Sequence, residues 1–322
     1  MKIFVTRPIP EVGIKMLKDN GFEVVVNEAA RDRAATKEEL LAGAKGADAI
    51  LSILTDKIDA DVMDAGLSTL KVVANYAVGY DNIDVNSAKA KNIIVTNTPG
   101  VLTETVAEHT FALILSIAHR IAESDKFTRD GKYHAWGPEL LLGTNIAGKT
   151  LGVVGLGRIG TMVAHHAVKG FGMKVVYTDL KANPEFEKEF GAVFADSIDT
   201  LLPQSDFVSI HVPMNEANRH LINADRLGKM KKSAYLINTS RGPIVDEAAL
   251  ATALKDGVIA GAALDVYEFE PKITPGLIEL SNVILTPHTA SATLETRNKM
   301  AEMAATNIIA VLKGETPPNL VQ

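Results

Sequence analysis

Three short apolar runs in the last third of the 322-residue chain end in residues that can do chemistry. Ala234–Ile237 is followed by Asn238-Thr239-Ser240-Arg241-Gly242, Gly261–Leu264 by Asp265 and then Glu268 and Glu270, and Val283–Leu285 by Thr286-Pro287-His288. In open α/β sheets, ligands bind beyond the carboxyl ends of the strands, so these three ends point to one crevice. A guanidinium fork holds a carboxylate in two parallel hydrogen bonds and helps polarise the carbonyl next to it. An imidazolium gives a carbonyl oxygen its proton while hydride arrives at carbon. A carboxylate bonded to that ring orients it and favours its protonated form. These residue types suit hydride transfer to a 2-oxo acid, with Arg241, His288 and Glu270 in the three roles. On spacing alone Glu268 competes with Glu270. Asp265 sits where a carboxylate can accept from a nicotinamide carboxamide or tie down its own loop, and the residues alone leave both readings open.

Hydride chemistry needs a carrier. Gly155-Leu156-Gly157-Arg158-Ile159-Gly160 lies between the apolar run Thr150–Val154 and the helical pattern that opens at Thr161, the context a dinucleotide fingerprint requires. Gly155 permits the tight turn, Gly157 lets backbone approach a pyrophosphate, and Gly160 lets helix and strand pack closely. Asp179 stands nineteen residues past Gly160, at the end of the next apolar run. An acid there accepts the ribose hydroxyls of NAD and repels the added phosphate of NADP. Lys181 leaves some tolerance for NADP. Of the other histidines, His109, His119, His165, His166 and His220 read as helix or loop residues without a special role. His134 lies in a loop beside Trp136, and His211 either touches cofactor or caps its strand. No histidine pair has metal-ligand spacing, and no metal is expected.

Strand and helix patterns alternate along the whole chain. Strands are expected at Lys2–Val5, Glu23–Val26, Ala49–Ile53, Lys71–Ala74 and Ile93–Thr96, and helices at Glu11–Asn20, Lys37–Ala44 and Ala60–Ala65, giving a small α/β unit with a parallel sheet. A second series of six strands begins at the fingerprint. A core helix is expected from Val106 to Ala118, with Thr105 and Glu108 as a capping box, and a last helix from Leu294 to Leu312 that returns to the first unit. The fold class is therefore α/β, a doubly wound dinucleotide-binding domain inserted into a smaller flavodoxin-like α/β domain. The boundaries are 1–99 with 289–322 for the discontinuous substrate-binding domain and 100–288 for the nucleotide domain. The Val78-Gly79 turn, at a strand end of the first domain, is a small anion-binding nest or a simple turn.

Composition narrows the function classes. A net charge of −6 without a basic stripe argues against nucleic acid and membrane surfaces. The absence of cysteine excludes disulfides and thiolate chemistry and fits a reducing cytoplasm. The amino terminus lacks the apolar core of a signal peptide.

The chain resembles the D-isomer-specific 2-hydroxyacid dehydrogenases in seven ordered blocks. These are Val78–Asp84, Asn97–Thr110, Gly148–Gly160, His211–Pro213, Ile237–Glu247, Gly261–Pro271 and Thr286–Thr293. The resemblance implies that Arg241, Glu270 and His288 are catalytic. It selects Glu270 because the family's acid directly precedes a proline, here Pro271. It places Asp265 at the nicotinamide end and adds Arg158, Ile159, Val212, Pro213 and Thr239 to the cofactor contacts. It gives Leu54, Val78, Gly79 and Arg241 to the substrate carboxylate and its surroundings. It also implies a homodimer through the nucleotide domain. Within the family the chain looks most like glyoxylate/hydroxypyruvate reductases, with weaker support from Leu54–Asp59 and Trp136-Gly137-Pro138. Several such reductases prefer NADP, whereas Asp179 here points to NAD, with NADP as the weaker alternative. Other substrates on the same scaffold are D-lactate, D-glycerate, 3-phosphoglycerate and phosphite. An NAD-sensing corepressor is the reading from another class, disfavoured because the extensions of such relatives are missing here.

Overall fold

The computed structural model describes residues 1–321. In chain order it runs β1 (Lys2–Val5), α1 (Glu11–Asp19), β2 (Glu23–Val26), α2 (Lys37–Ala44), β3 (Ala49–Ile53), α3 (Ala60–Gly66), β4 (Val72–Tyr76), α4 (Val85–Ala90) and β5 (Ile94–Thr96). Next come α5 (Thr103–Ala118), α6 (Ile121–Arg129), β6 (Thr150–Val154), α7 (Arg158–Phe171), β7 (Lys174–Thr178), α8 (Pro184–Phe190), β8 (Val193–Phe194), α9 (Ile198–Leu201), β9 (Phe207–Ile210) and α10 (Ala224–Leu227). The chain closes with β10 (Tyr235–Asn238), α11 (Glu247–Lys255), β11 (Gly261–Leu264), β12 (Val283–Leu285), α12 (Leu294–Leu312) and β13 (Leu320–Val321).

Two compact units divide these elements. One is Met1–Leu102 joined by the chain from Ala292 onward; the other is Thr103–Ser291. The first unit's sheet has the order β13-β5-β4-β3-β1-β2. Its five main strands are parallel in the order 2-1-3-4-5, the flavodoxin-like arrangement, and β13 adds to β5 antiparallel. The second sheet runs β12-β11-β10-β9-β6-β7-β8, all parallel. Read from β8, this is the doubly wound order with one added strand, and its direction of winding reverses between β6 and β9.

Seven strands stand in the second sheet where six were expected. The addition, β8, has two residues, one exposed and one half-buried, too few to display a period of two. The antiparallel β13 was also unforeseen, and for the same reason. Helix α5 begins at Thr103, so Thr105 and Glu108 lie within its first turns and do not cap it.

Alternation along the second sheet's strands feeds two cores, one on each face. Leu151, Val153, Phe207, Ile237 and Ala263 join α5 and α7 on one side, while Val154, Val208, Ile210, Leu236 and Leu264 meet Leu201, Leu250 and Leu254 on the other. Burial on both faces is what parallel strands require. Among the described residues no helix is long and apolar enough to cross a membrane.

In the first unit α12 packs along α1 and β4. The closest approach is at Gly13, where an added Cβ would lie 2.8 Å from the Ala301 carbonyl oxygen and 2.9 Å from its Cβ. Glycine to alanine inside a helix normally stabilises by about 1 kcal/mol. Overpacking a tight contact costs about 1–3 kcal/mol. Gly13→Ala is expected to lower unfolding stability in urea despite its better helix propensity; a rise in stability would show the α1–α12 contact to be loose.

Candidate active site

The second sheet's switch point carries the glycine-rich loop. Gly155 has φ +94°, and a Cβ there would meet Val212 Cγ1 at 2.8 Å and the His211 carbonyl carbon at 2.9 Å, so both its conformation and its space demand glycine. Gly160 presses against the Gly155 carbonyl oxygen, 2.1 Å from where its Cβ would stand. Gly157 faces open space and is the N-cap of α7. Helices α8, α11 and α12 are capped by the side chains of Asn183, Asp246 and Thr293, but α7 has no side-chain cap. Its first-turn amides, at Arg158, Ile159 and Gly160, and the positive end of its dipole are therefore left for an anion.

Asp179 lies just past β7. Its carboxylate accepts from the Leu156 amide at 2.6 Å and from the Leu180 amide at 2.6 Å, tying the second strand's end to the glycine loop. Leu156, Asp179, Lys181 and Asn183 line a cavity of about 550 Å³. A ribose with a carboxylate and an ammonium at its rim fits that lining. The glycine loop, the uncapped helix and Asp179 together fit a dinucleotide.

Beyond the next strands, Ser240 Oγ donates to the Val212 carbonyl at 2.5 Å, and Thr239 Oγ1 is 3.0 Å from Thr110 Oγ1 of α5. Pro213 accepts from Asn218 through its carbonyl at 2.7 Å. Val212 thus links the ends of β6, β9 and β10, touching the glycine loop and accepting from Ser240, while Thr239 is tied to α5. His211 does not project freely. Its Nε2 is 2.8 Å from Ser209 Oγ, and burial pushes the ring down to a pKa of about 3.

The strand ends of β10, β11 and β12 hold the reactive set. Arg241 follows β10, its Nη1 donating to the Ser240 carbonyl at 2.8 Å, while Asn238 Nδ2 holds the Arg241 carbonyl at 2.9 Å. Gly242 lies flat on the next loop: a Cβ there would sit 1.8 Å from the Tyr267 carbonyl carbon and 2.4 Å from the Glu268 amide. This contact sets the Arg241 turn against the segment that leads to Glu270. Glu270 Oε1 accepts from the Tyr267 amide at 3.0 Å and Oε2 is 3.0 Å from His288 Nδ1. A carboxylate can only accept, so Nδ1 carries that proton and Nε2 is turned away from the pair. Glu268 is engaged elsewhere, 2.7 Å from His220 Nε2 and 3.2 Å from Arg219.

His288 itself has φ +55°, an unusual conformation for a non-glycine residue. It is held there by Asp265, which is wholly buried. Asp265 Oδ1 accepts from Thr286 Oγ1 at 2.7 Å and the Thr289 amide at 2.8 Å, Oδ2 from the Ala290 amide at 2.8 Å, and its backbone carbonyl from the His288 amide at 2.9 Å. Burial alone would raise this carboxyl; hydrogen bonds from His109, Thr286 and the two amides outweigh it and hold the group below the usual carboxylate range. Asp265 thus ties down the histidine turn, one of the two uses open from sequence. His109 of α5, which looks featureless in sequence, stands 3.5 Å from Asp265 Oδ1 and 3.4 Å from Thr286 Oγ1. Sequence reasoning also passed over Tyr267, whose hydroxyl donates to the Thr286 carbonyl at 2.9 Å. The signal for the Gly242 contact was present in the Arg-Gly-Pro triplet; nothing local marks His109 or Tyr267.

Leu54, Val78 and Gly79 belong to the first unit, where they follow the neighbouring strands β3 and β4.

Residues 111–290 match the family described as D-isomer specific 2-hydroxyacid dehydrogenase, NAD binding domain. The chain is 50% identical to a glyoxylate reductase of Korarchaeum cryptofilum over 99% of its own length and 95% of that protein. Among solved structures, a protein of Thermus thermophilus matches with TM-score 0.93 and 44% identity over the full length of both chains. The NADPH-dependent glyoxylate/hydroxypyruvate reductase of Sinorhizobium meliloti, in complex with NADP and malonate, matches with TM-score 0.87 and 34% identity over 99% of this chain and 96% of that one.

Two outcomes follow from the packing and the charge. Gly242→Ala is expected to cost about 1–3 kcal/mol or more in urea denaturation, because backbone rather than a flexible side chain fills the space; an unchanged midpoint would mean the two loops are not in contact. His211 binds a proton near pH 6.5 when unfolded and near 3 when folded, so its contribution is complete above about pH 6.5 and is lost as pH falls toward 3. His211→Gln should flatten the decline of stability across that window relative to the parent, and parallel curves would place the ring in solvent.

Proposed function

The chain belongs to the D-isomer-specific 2-hydroxyacid dehydrogenase family, and from that premise we propose that it reduces glyoxylate or hydroxypyruvate to the 2-hydroxy acid. The observation that carries the proposal is the Glu270–His288 pair, 3.0 Å apart at the end of the sheet that also delivers Arg241. A nicotinamide dinucleotide, when held by these residues, would supply the hydride. His288 Nε2 gives the carbonyl oxygen its proton, and Glu270 keeps the ring in the tautomer that allows this. Arg241 grips the substrate carboxylate and draws electron density from the adjacent carbonyl. In the first unit, the Val78 and Gly79 amides are donors suited to a substrate carboxylate, and Leu54 is an apolar substrate contact. Asp265 serves the nicotinamide end through the turn it anchors.

The residues Gly155, Gly157, Arg158, Ile159, Gly160, Val212, Pro213 and Thr239 hold the dinucleotide, and Asp179 favours NAD over NADP by its charge, with Lys181 permitting some use of NADP. The unit Met1–Leu102 with the segment after Ala292 is the substrate-binding domain, and Thr103–Ser291 the nucleotide domain. We assign a homodimer through the nucleotide domain; the large apolar side chains of Ile121, Tyr133, Trp136, Leu142 and Ile278, each more than half exposed there, support it. A cytoplasmic setting belongs to the same reading.

The test is turnover of a panel of 2-oxo acids with NADH and NADPH, followed by absorbance. Glyoxylate and hydroxypyruvate should lead, and His288→Gln should lower kcat for glyoxylate by about 10²- to 10⁴-fold while NADH affinity stays within about twofold. Equal turnover in the two proteins would remove His288 from the chemistry.

A further inference from the structure

A set of asparagines under the Val78-Gly79 turn has no part in the chemistry above. Asn75, in β4, is completely buried. Its Nδ2 donates to the Gly79 carbonyl at 2.8 Å and to Asn82 Oδ1 at 2.9 Å, while its Oδ1 accepts from Ser52 Oγ at 3.0 Å. Asn82 Nδ2 donates its two hydrogens to the Ile53 carbonyl at 3.1 Å and the Asp56 carbonyl at 3.0 Å, and lies 3.3 Å from Asn75 Oδ1. Carbonyls only accept, so the nitrogen of Asn82 must face them. That fixes its oxygen toward Asn75, and hence the direction of the whole chain of bonds. Asn97 Nδ2 donates to the Val78 carbonyl at 2.8 Å, and the Thr98 amide donates to the Ala77 carbonyl at 2.9 Å.

Three consecutive carbonyls, those of Ala77, Val78 and Gly79, are therefore each anchored to the fold. In a planar trans peptide the N–H points opposite to the C=O. The amides of Val78, Gly79 and Tyr80 must turn away from their anchors, and none of the three donates a hydrogen bond among the described residues. Asn82 also brackets Leu54, holding the carbonyls of Ile53 and Asp56 on either side of it.

We infer that Asn75, Asn82 and Asn97 are positioning residues for substrate recognition: they aim three backbone amides outward as a ready-made carboxylate cradle and fix its distance from Leu54. Side-chain carboxamides do this without bringing a charge near the anion, and the burial of Asn75 keeps water from competing for the Gly79 carbonyl. A cradle already pointed at its ligand avoids the cost of ordering a loop when the ligand arrives. The inference rests on the reading that this turn meets the substrate carboxylate.

The decisive variants are Asn97→Ala and Asn75→Ala. Asn97 is half-buried, and its backbone bonds to Asn319 and Asn307 survive truncation, so Asn97→Ala decides the matter if Asn75→Ala fails to fold. Each folded variant should raise the KM for glyoxylate tenfold or more while kcat stays within about threefold and the KM for NADH within about twofold, the pattern of lost substrate binding. An unchanged KM for glyoxylate overturns the inference. Amide hydrogen exchange in the parent enzyme separates the two levels. Oxamate, an unreactive mimic of a 2-oxo acid, added with NADH should slow exchange in the segment 77–81. Without that slowing, the carboxylate reading and the inference fall together; slowing in the parent with unchanged KM in the variants removes the asparagines alone.

Discussion

A single buried carboxylate, Asp265, organises the reactive end of the second sheet. Bringing a charge out of water is unfavourable unless hydrogen bonds replace the water. Here the replacements come chiefly from one turn, through Thr286, Thr289 and Ala290, so satisfying the charge and shaping the turn are the same event. His288 takes its left-handed backbone conformation inside that turn. Tyr267 links the two sides: its amide supports Glu270 and its hydroxyl the Thr286 carbonyl. The register of β11 with β12, Ala262 to Val283 through Leu264 to Leu285, then places Asp265 beside Thr286 and brings an acid from one strand end to a base from the next.

The two units solve the problem of holding a polar group ready in different ways. In the second, a charge is buried and a loop is wound around it. In the first, neutral carboxamides, one of them fully buried, hold the backbone carbonyls and leave the amides free. Both depend on neighbouring parallel strands ending at one edge, since β3 and β4 deliver the asparagine-supported turn as β10, β11 and β12 deliver the reactive side chains.

Much of this was legible in the sequence because it is periodic or compositional. The apolar runs of β6, β9 and β11, the glycine spacing and the span of α12 all follow from local rules. What was not legible depends on partners distant in the chain. Nothing near His109 announces that it will stand beside Asp265, far along the chain, and the two-residue strands β8 and β13 exist only because a neighbour offers them a ladder. The choice between Glu268 and Glu270 was open on spacing. Distances separate them: one faces His220 and Arg219, the other His288. Asn75 and Asn82 read as ordinary polar residues near a turn, since the direction of a hydrogen-bond chain is a property of three-dimensional closure.

The pairing of Leu320 and Val321 with Val95 and Thr96 has a consequence outside catalysis. An edge strand with unsatisfied backbone groups invites another polypeptide to zip onto it. On one flank of the first unit's sheet that invitation is withdrawn by a strap of two residues, itself secured where Asn307 Oδ1 accepts from the Asn319 amide. The strap adds little hydrophobic burial of its own. Its value is prophylactic: it keeps a buried, β-branched sheet from becoming a template for aggregation.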